Sequence, residues 1–339
     1  MRAGVALQPV DDPQMFREFV TEIDALGFDQ LWLTDSSLHA RYVYSYLTLA
    51  STWAPKLHLG TAVTNPLTRH PAVTAIAAST LDLVSEGRFT LGIGAGDRPL
   101  LSLGLKPAPL GVLERSILDI RRLWAGETVT DDGPNFQLQD AHFRFPSGAG
   151  IPIYISASGP ATLRMAGRIA DGVILLCGLD SDVVAWALSR IDEGVSEANR
   201  SSRPHVAIFA YGAVIDDSVE AMRSARTIAA WFPQTVPQLC EVAGLSSEIV
   251  AKVQQSYQGG EFQEAETAAA LLPVDFVKRM ALYGGVDEAR EHIRNLTSMG
   301  VDSINVFPLG TDRMATIRGF AEALKKEGLM PQDESRQTR

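Results

Sequence analysis

The sequence predicts an α/β fold, a (β/α)8 TIM barrel carrying a hairpin excursion and a helical insertion before strand 8. Three observations predict it. Apolar strand-like runs alternate with helix-patterned runs along almost the whole 339-residue chain. Eight such strand–helix units can be traced, which favours a closed barrel over an open doubly wound sheet. The links are short, as parallel strands joined by right-handed crossovers require.

Residues 5–8 read as the first strand. Asp11-Asp12-Pro13 then starts a helix with Phe16, Phe19, Val20, Ile23 and Leu26 at helical spacing, and Gly27 stops it. A strand over 30–34 ends in Asp35, and a helix over 43–53 stops before Pro55. The third strand, 57–63, changes character at Thr64-Asn65-Pro66, where proline ends sheet pairing. Pro71 opens an alanine-rich helix over 72–84. A strand over 88–93 leads into Gly94-Ala95-Gly96-Asp97, and a helix over 110–125 follows.

Residues 127–145 break the rhythm. Short β-like pieces at 127–130, 135–138 and 141–145 surround Asp132-Gly133-Pro134 and read as a hairpin excursion. Alternation resumes with strand 151–155, helix 161–169, strand 172–176, helix 181–198 and strand 205–211. Residues 216–280 exceed what one crossover needs and read as several helices inserted near the barrel mouth, a lid or an oligomer contact. Helix 286–299, strand 303–307 and helix 314–326 complete the eighth unit. A single barrel domain is expected over 1–330, followed by a polar tail over 331–339.

The hydrophobic fraction of 46% and charged fraction of 21% are ordinary for an enzyme with a large core. A net charge of −10 without a basic cluster argues against nucleic-acid binding. No apolar run reaches membrane-spanning length and no leader pattern opens the chain, so a cytoplasmic protein is expected. Two distant cysteines, Cys177 and Cys240, give neither a disulfide framework nor a CxxC site. Six histidines without HxxxH or HExxH spacing give no metal site.

Barrel active sites lie at the C-terminal ends of the strands, which makes the residues there the candidates. Val63, Thr64, Asn65 and Arg69 follow the third strand; Asp35 ends the second; Gln8 ends the first. Asp35 also fits plain helix capping, and Asp97 a solvated loop carboxylate. Small residues at 94–96 let the backbone approach a planar ring, and a poorly solvated Asp97 could donate a proton. Residues 156–162, Ser-Ala-Ser-Gly-Pro-Ala-Thr, place free N–H groups and a positive dipole end at the mouth, which suits a phosphate.

TAVTNPLTRHP, followed by LDLVSEGRFTLGIGAGD, resembles the luciferase-like superfamily of flavin and deazaflavin oxidoreductases. LGFDQLWLTD, IPIYISASGPATLRMAGRIADGVI and GVDSINVFPLG fall in the same family order, and the branch most resembled is that of coenzyme F420-dependent methylenetetrahydromethanopterin reductases. The resemblance implies hydride transfer between reduced coenzyme F420 and a small unsaturated or imine-like substrate. The alternatives are an FMN-dependent monooxygenase on the same barrel and a non-catalytic flavin- or deazaflavin-binding protein. It further implies catalytic roles for Asp35 and Asp97, and a non-prolyl cis peptide at Ala62-Val63 backing the cofactor ring, where an ordinary trans strand is the alternative. Thr64 and Asn65 would complete the ring site, and Ser156, Ser158, Gly159, Pro160 and Thr162 would hold the cofactor phosphate. Gln8, His39 and Arg69 are candidate substrate contacts. The family often places histidine directly after the aspartate; here Ser36 and Ser37 follow, leaving His39 as the nearest imidazole. A homodimer or higher homo-oligomer is also implied.

Overall fold

The computed structural model describes residues 1–145, 150–257 and 265–331. In chain order the strands are β1 (Arg2–Leu7), β2 (Gln30–Leu33), β3 (His58–Thr61), β4 (Phe89–Ile93), β5 (Val129–Asp131), β6 (Leu138–Ala141), β7 (Ile153–Ala157), β8 (Gly172–Leu175), β9 (His205–Gly212) and β10 (Ser303–Pro308). Eight of them close a parallel barrel in the order β1-β10-β9-β8-β7-β4-β3-β2, with β5 and β6 paired apart as an antiparallel hairpin.

Helices α1 (Pro13–Leu26), α2 (Val43–Trp53), α3 (Pro71–Val84), α4 (Arg98–Leu101) and α5 (Leu110–Trp124) accompany the first half, and α6 (Pro160–Ile169) and α7 (Ser181–Glu197) follow β7 and β8. The insertion holds α8 (Ser218–Ala229), α9 (Trp231–Thr235), α10 (Pro237–Val242), α11 (Ser247–Ser256), α12 (Ala265–Ala269) and α13 (Val274–Met280). It returns at Leu282, whose N–H donates to the Tyr211 carbonyl at 2.9 Å beside the end of β9. Helices α14 (Val286–Ser298) and α15 (Arg313–Lys326) bracket β10. No helix among the described residues is long and apolar enough to cross a membrane.

Because the strands are covered on both faces, their sequences read as nearly continuous apolar runs. Outward residues such as Leu31, Leu33, Leu59 and Ile155 join the core shared with the helices. Inward residues Ala6, Trp32, Tyr154, Ile174, Ala207, Phe209 and Phe307 form a second cluster inside the barrel. Three interior side chains lie opposite a glycine on the adjacent strand: Trp32 pairs with Gly60, Tyr154 with Gly172 and Asn305 with Gly4. A Cβ at any of these glycines would run into the paired side chain. Trp32 in turn lies 5.7 Å, centroid to centroid, from both Tyr154 and Phe209, so aromatic rings fill the middle of the barrel.

At the opposite end from the mouth, one device recurs. Asp29, Asp171 and Asp302 each precede a strand, and each carboxylate accepts a 2.8 Å bond from an N–H of the neighbouring strand: Ala3, Ile153 and Val206 respectively. Each aspartate's own N–H donates back to the carbonyl of the same residue. The strand starts are thereby fastened in register.

The helices fall within a residue or two of their expected bounds; the departures lie in the strands. The strand expected over 57–63 ends at Thr61: the Ala62-Val63 peptide is cis, and Thr64 rejoins Ile93 as an isolated bridge. The strand expected from 151 starts at Ile153, since Pro152 has no N–H to give the ladder. In the excursion, Asn135 has φ +75°, which breaks the piece expected over 135–138, so β6 begins only at Leu138. The piece expected over 141–145 stays unpaired beyond Ala141, because β5 begins at Val129, the partner of Ala141. Residues 332–339 of the polar tail lie outside the described residues.

Gly60→Ala is expected to lower stability by about 1–3 kcal/mol through displacement of Trp32, measured by urea unfolding. Burial, foremost, depresses the pKa of His58, His205 and His292 below 6.5; Arg2 adds to this at His58, while Asp302 and Glu291 oppose it at His205 and His292. The unfolded chain therefore takes up protons first as pH falls. Stability is complete above about pH 6.5 and is expected to decline below it, as a Tm series across pH 5–8 would register.

Candidate active site

Asp35 leaves β2 at the mouth with its side chain 7% exposed, in direct ion pair with Arg69, 12% exposed, from the loop after β3. The Arg69 Nη2 also donates to Thr64 Oγ1 at 3.0 Å. Its guanidinium carbon lies 5.3 and 5.2 Å from the ring centroids of Tyr42 and Tyr44, at the start of α2. Burial, foremost, brings Arg69 down to about 10, which leaves it a cation at neutral pH. Burial likewise pushes the Tyr44 hydroxyl up, with the Thr64 hydroxyl opposing, so the phenol stays neutral.

Thr64 is fully buried, and its main chain is fastened to β4 through Thr64 N–H to Gly92 O at 3.0 Å and Gly94 N–H to Thr64 O at 2.9 Å. Asn65 Oδ1 accepts from Leu67 N and Thr68 N, both at 3.0 Å. The side chains of Thr64 and Asn65 therefore build the loop, while half-buried Ala62 and Val63 pack on the cluster inside the barrel, as Tyr211 and Leu309 also do.

The ends of β3, β4 and β7 converge at Gly94. A Cβ placed there would come within 3.0 Å of Val63 Cγ2 and 3.2 Å of Ser156 Cβ. Residues 62–65 and the loop 156–162 thus share one wall. Gly159 forms the N-cap of α6 without a side-chain cap, and a Cβ on it would meet nothing within 4 Å. The first-turn N–H groups of Ala161 and Thr162 have no partner within the helix, as at any helix start. Ser158 is already engaged, donating to Leu176 O at 2.9 Å and so tying β7 to β8. Arg168 sits in the last turn of α6, paired with Glu114 at 3.2 Å and Glu197 at 3.3 Å, away from this loop.

Gln8 Nε2 donates to His39 O at 2.6 Å, so these two candidates hold the loop after β2 in place. Asp97 is exposed at the start of α4, without the poor solvation that a proton donor there would need. Tyr42 and Tyr44 belong to the site but were not singled out from the sequence; the aromatic run YVYSY directly after the Asp35 loop was the available signal. Cys177 is buried and raised to about 12, by burial first and Asp180 second, and so is no nucleophile. Among the described residues, no three His, Cys, Asp or Glu side chains gather in a way that could hold a metal ion.

A closed parallel barrel with small residues and an uncapped helix start at its mouth is the layout of barrel enzymes, whose sites lie at the strand tips. The model of the luciferase-like monooxygenase family matches residues 2–303, and the chain belongs to that family. It is 30% identical over 325 residues to a 5,10-methylenetetrahydromethanopterin reductase of Archaeoglobus fulgidus, covering 94% of this chain and 97% of the relative. An F420-dependent glucose-6-phosphate dehydrogenase of Microbacterium testaceum is 34% identical over 203 residues, covering 56% of this chain and 60% of the relative. The solved structure of the coenzyme F420-dependent tetrahydromethanopterin reductase from Methanopyrus kandleri superposes with a TM-score of 0.83 at 26% identity, covering 96% and 99% of the two chains.

Ser158→Ala is expected to cost about 0.5–1.5 kcal/mol of stability by freeing the Leu176 carbonyl, as denaturant unfolding would show.

Proposed function

We propose that this oxidoreductase transfers a hydride between reduced coenzyme F420 and a small unsaturated or imine-like acceptor, in the manner of its methylenetetrahydromethanopterin reductase relatives. The observation that carries the reading is the convergence of Val63, Gly94 and Ser156. A planar ring needs a tightly closed backing of small residues, and the missing Cβ at Gly94 is what lets the ends of β3 and β7 close on each other there, since a Cβ would come within 3.0 Å of Val63 Cγ2 and 3.2 Å of Ser156 Cβ. The coarser statement, a flavin or deazaflavin at the mouth, rests on the same wall and on the family. The choice of F420 draws further support from relatives that carry it in their names at full-length coverage or nearly so.

The residues present fit such a group. The main chain at Ala62-Val63 would back the ring, while the first-turn N–H groups of Ala161 and Thr162 and the hydroxyls of Ser156 and Thr162 would take the phosphate. When bound, the cofactor supplies the carbon that carries the hydride. Asp35 sits at the rim as a fixed negative charge, suited to steady positive charge on an imine-like acceptor and to accept hydrogen bonds from it. The ring-filled interior closes the site from below and keeps bulk water out.

Side-by-side titration of the protein with coenzyme F420 and FMN is expected to give saturable binding of F420, followed by turnover with a reducible acceptor. Uptake of FMN alone with oxygen consumption would replace the reading by a monooxygenase, and binding without turnover by a sequestering protein. Gly94→Val is expected to weaken F420 binding at least about tenfold, roughly 1.4 kcal/mol, and also to lower Tm because its side chain must displace Val63 and Ser156, so the binding loss is read at a temperature where the variant is folded.

A further inference from the structure

We propose that Arg69 is a positioning residue for Asp35: it fixes that carboxylate in one place and in its ionised form, and does not itself receive the acceptor. Only the kinetic part of this proposal rests on the hydride-transfer reading. Nη2 is shared between Asp35 and Thr64 Oγ1, and Thr64 is anchored to β4 on both sides. Arg69 therefore transmits the rigidity of the barrel wall to a loop that otherwise begins with Ser36 and Ser37. The rings of Tyr42 and Tyr44 occupy further guanidinium surface, leaving little of it for a phosphate or carboxylate from outside. The pair is neutral overall, so it offers no net positive charge to an anion.

The wall also explains why the carboxylate needs fixing. Thr34 Oγ1 and Thr68 Oγ1, on the residues just before Asp35 and Arg69, are buried without hydrogen-bond partners. A carboxylate that lost Arg69 would have these hydroxyls as competing donors, and would sit nearly buried without a counter-charge. The cation itself persists through neutral pH, since even after burial Arg69 titrates only at about 10.

The test is a double-mutant cycle on the whole chain with D35N, R69Q and D35N/R69Q, accompanied by R69K. Without cofactor, the Tm of R69Q is expected to fall below that of the double variant, because the double no longer buries an unpaired carboxylate. With reduced F420 and methylenetetrahydromethanopterin as probes, R69Q is expected to lower kcat at least tenfold with KM changed less than twofold. R69K is expected to recover part of that kcat, and the double variant to be no slower than D35N. Additive Tm losses would overturn the proposal, as would an R69Q that raises KM while leaving kcat intact, the mark of a substrate contact. If wild-type protein turns over neither probe, the hydride-transfer reading fails, and the Tm cycle still decides the pairing. Should R69Q not fold, R69K must show the loss in kcat alone.

Discussion

The volume inside an eight-stranded barrel is the constraint on which the rest depends. Eight strands enclose only enough space for their own side chains, so each large interior residue must be matched by a small one. Here the matching is done across single register positions: Trp32 over Gly60, Tyr154 over Gly172, Asn305 over Gly4. The arrangement does two things at once. It fills the middle of the barrel with rings, and at the strand tips it leaves small residues, Ala62 and Gly94, on the side of β3 and β4 while Tyr211 and Phe307 stack 4.4 Å apart at the ends of β9 and β10.

At the strand tips most polar side chains are occupied in holding one another. Asn65 caps its own loop, Gln8 holds the His39 carbonyl, Ser158 ties two strands together, and Arg69 is taken by Asp35 and Thr64. At the ends of β3, β4 and β7 the residues are small and close together, and the first turn of α6 carries no side-chain cap. Such a surface suits a flat molecule with an anionic tail, and it places one fixed carboxylate beside the opening. Hydride transfer needs little more from a protein than this orientation, because the bound cofactor carries the reactive carbon.

Much of the barrel was legible because its signals are local: apolar runs, proline and glycine stops, and capping residues such as Asp12 before α1. The strand ends were less so. Where β3 stops, and where β6 starts, depends on the conformations of Ala62-Val63 and Asn135, which composition does not reveal. The position of the candidate site at the strand tips was readable, as was each loop that contributes to it. The partners within it were not: Arg69 and Asp35 are 34 positions apart in sequence and meet only because β2 and β3 are neighbours. Nor could the exposure of Asp97 be read from a glycine-rich turn.

The aspartates at 29, 171 and 302 carry a consequence for how such a scaffold can change. They clamp the strand beginnings, on the face remote from the opening, through bonds that involve none of the residues lining it. Segments at the rim can therefore be exchanged or lengthened, as the helical insertion between β9 and α14 illustrates, while the staves of the cylinder keep their alignment. Architectural integrity and chemical versatility are housed at opposite poles of the same molecule.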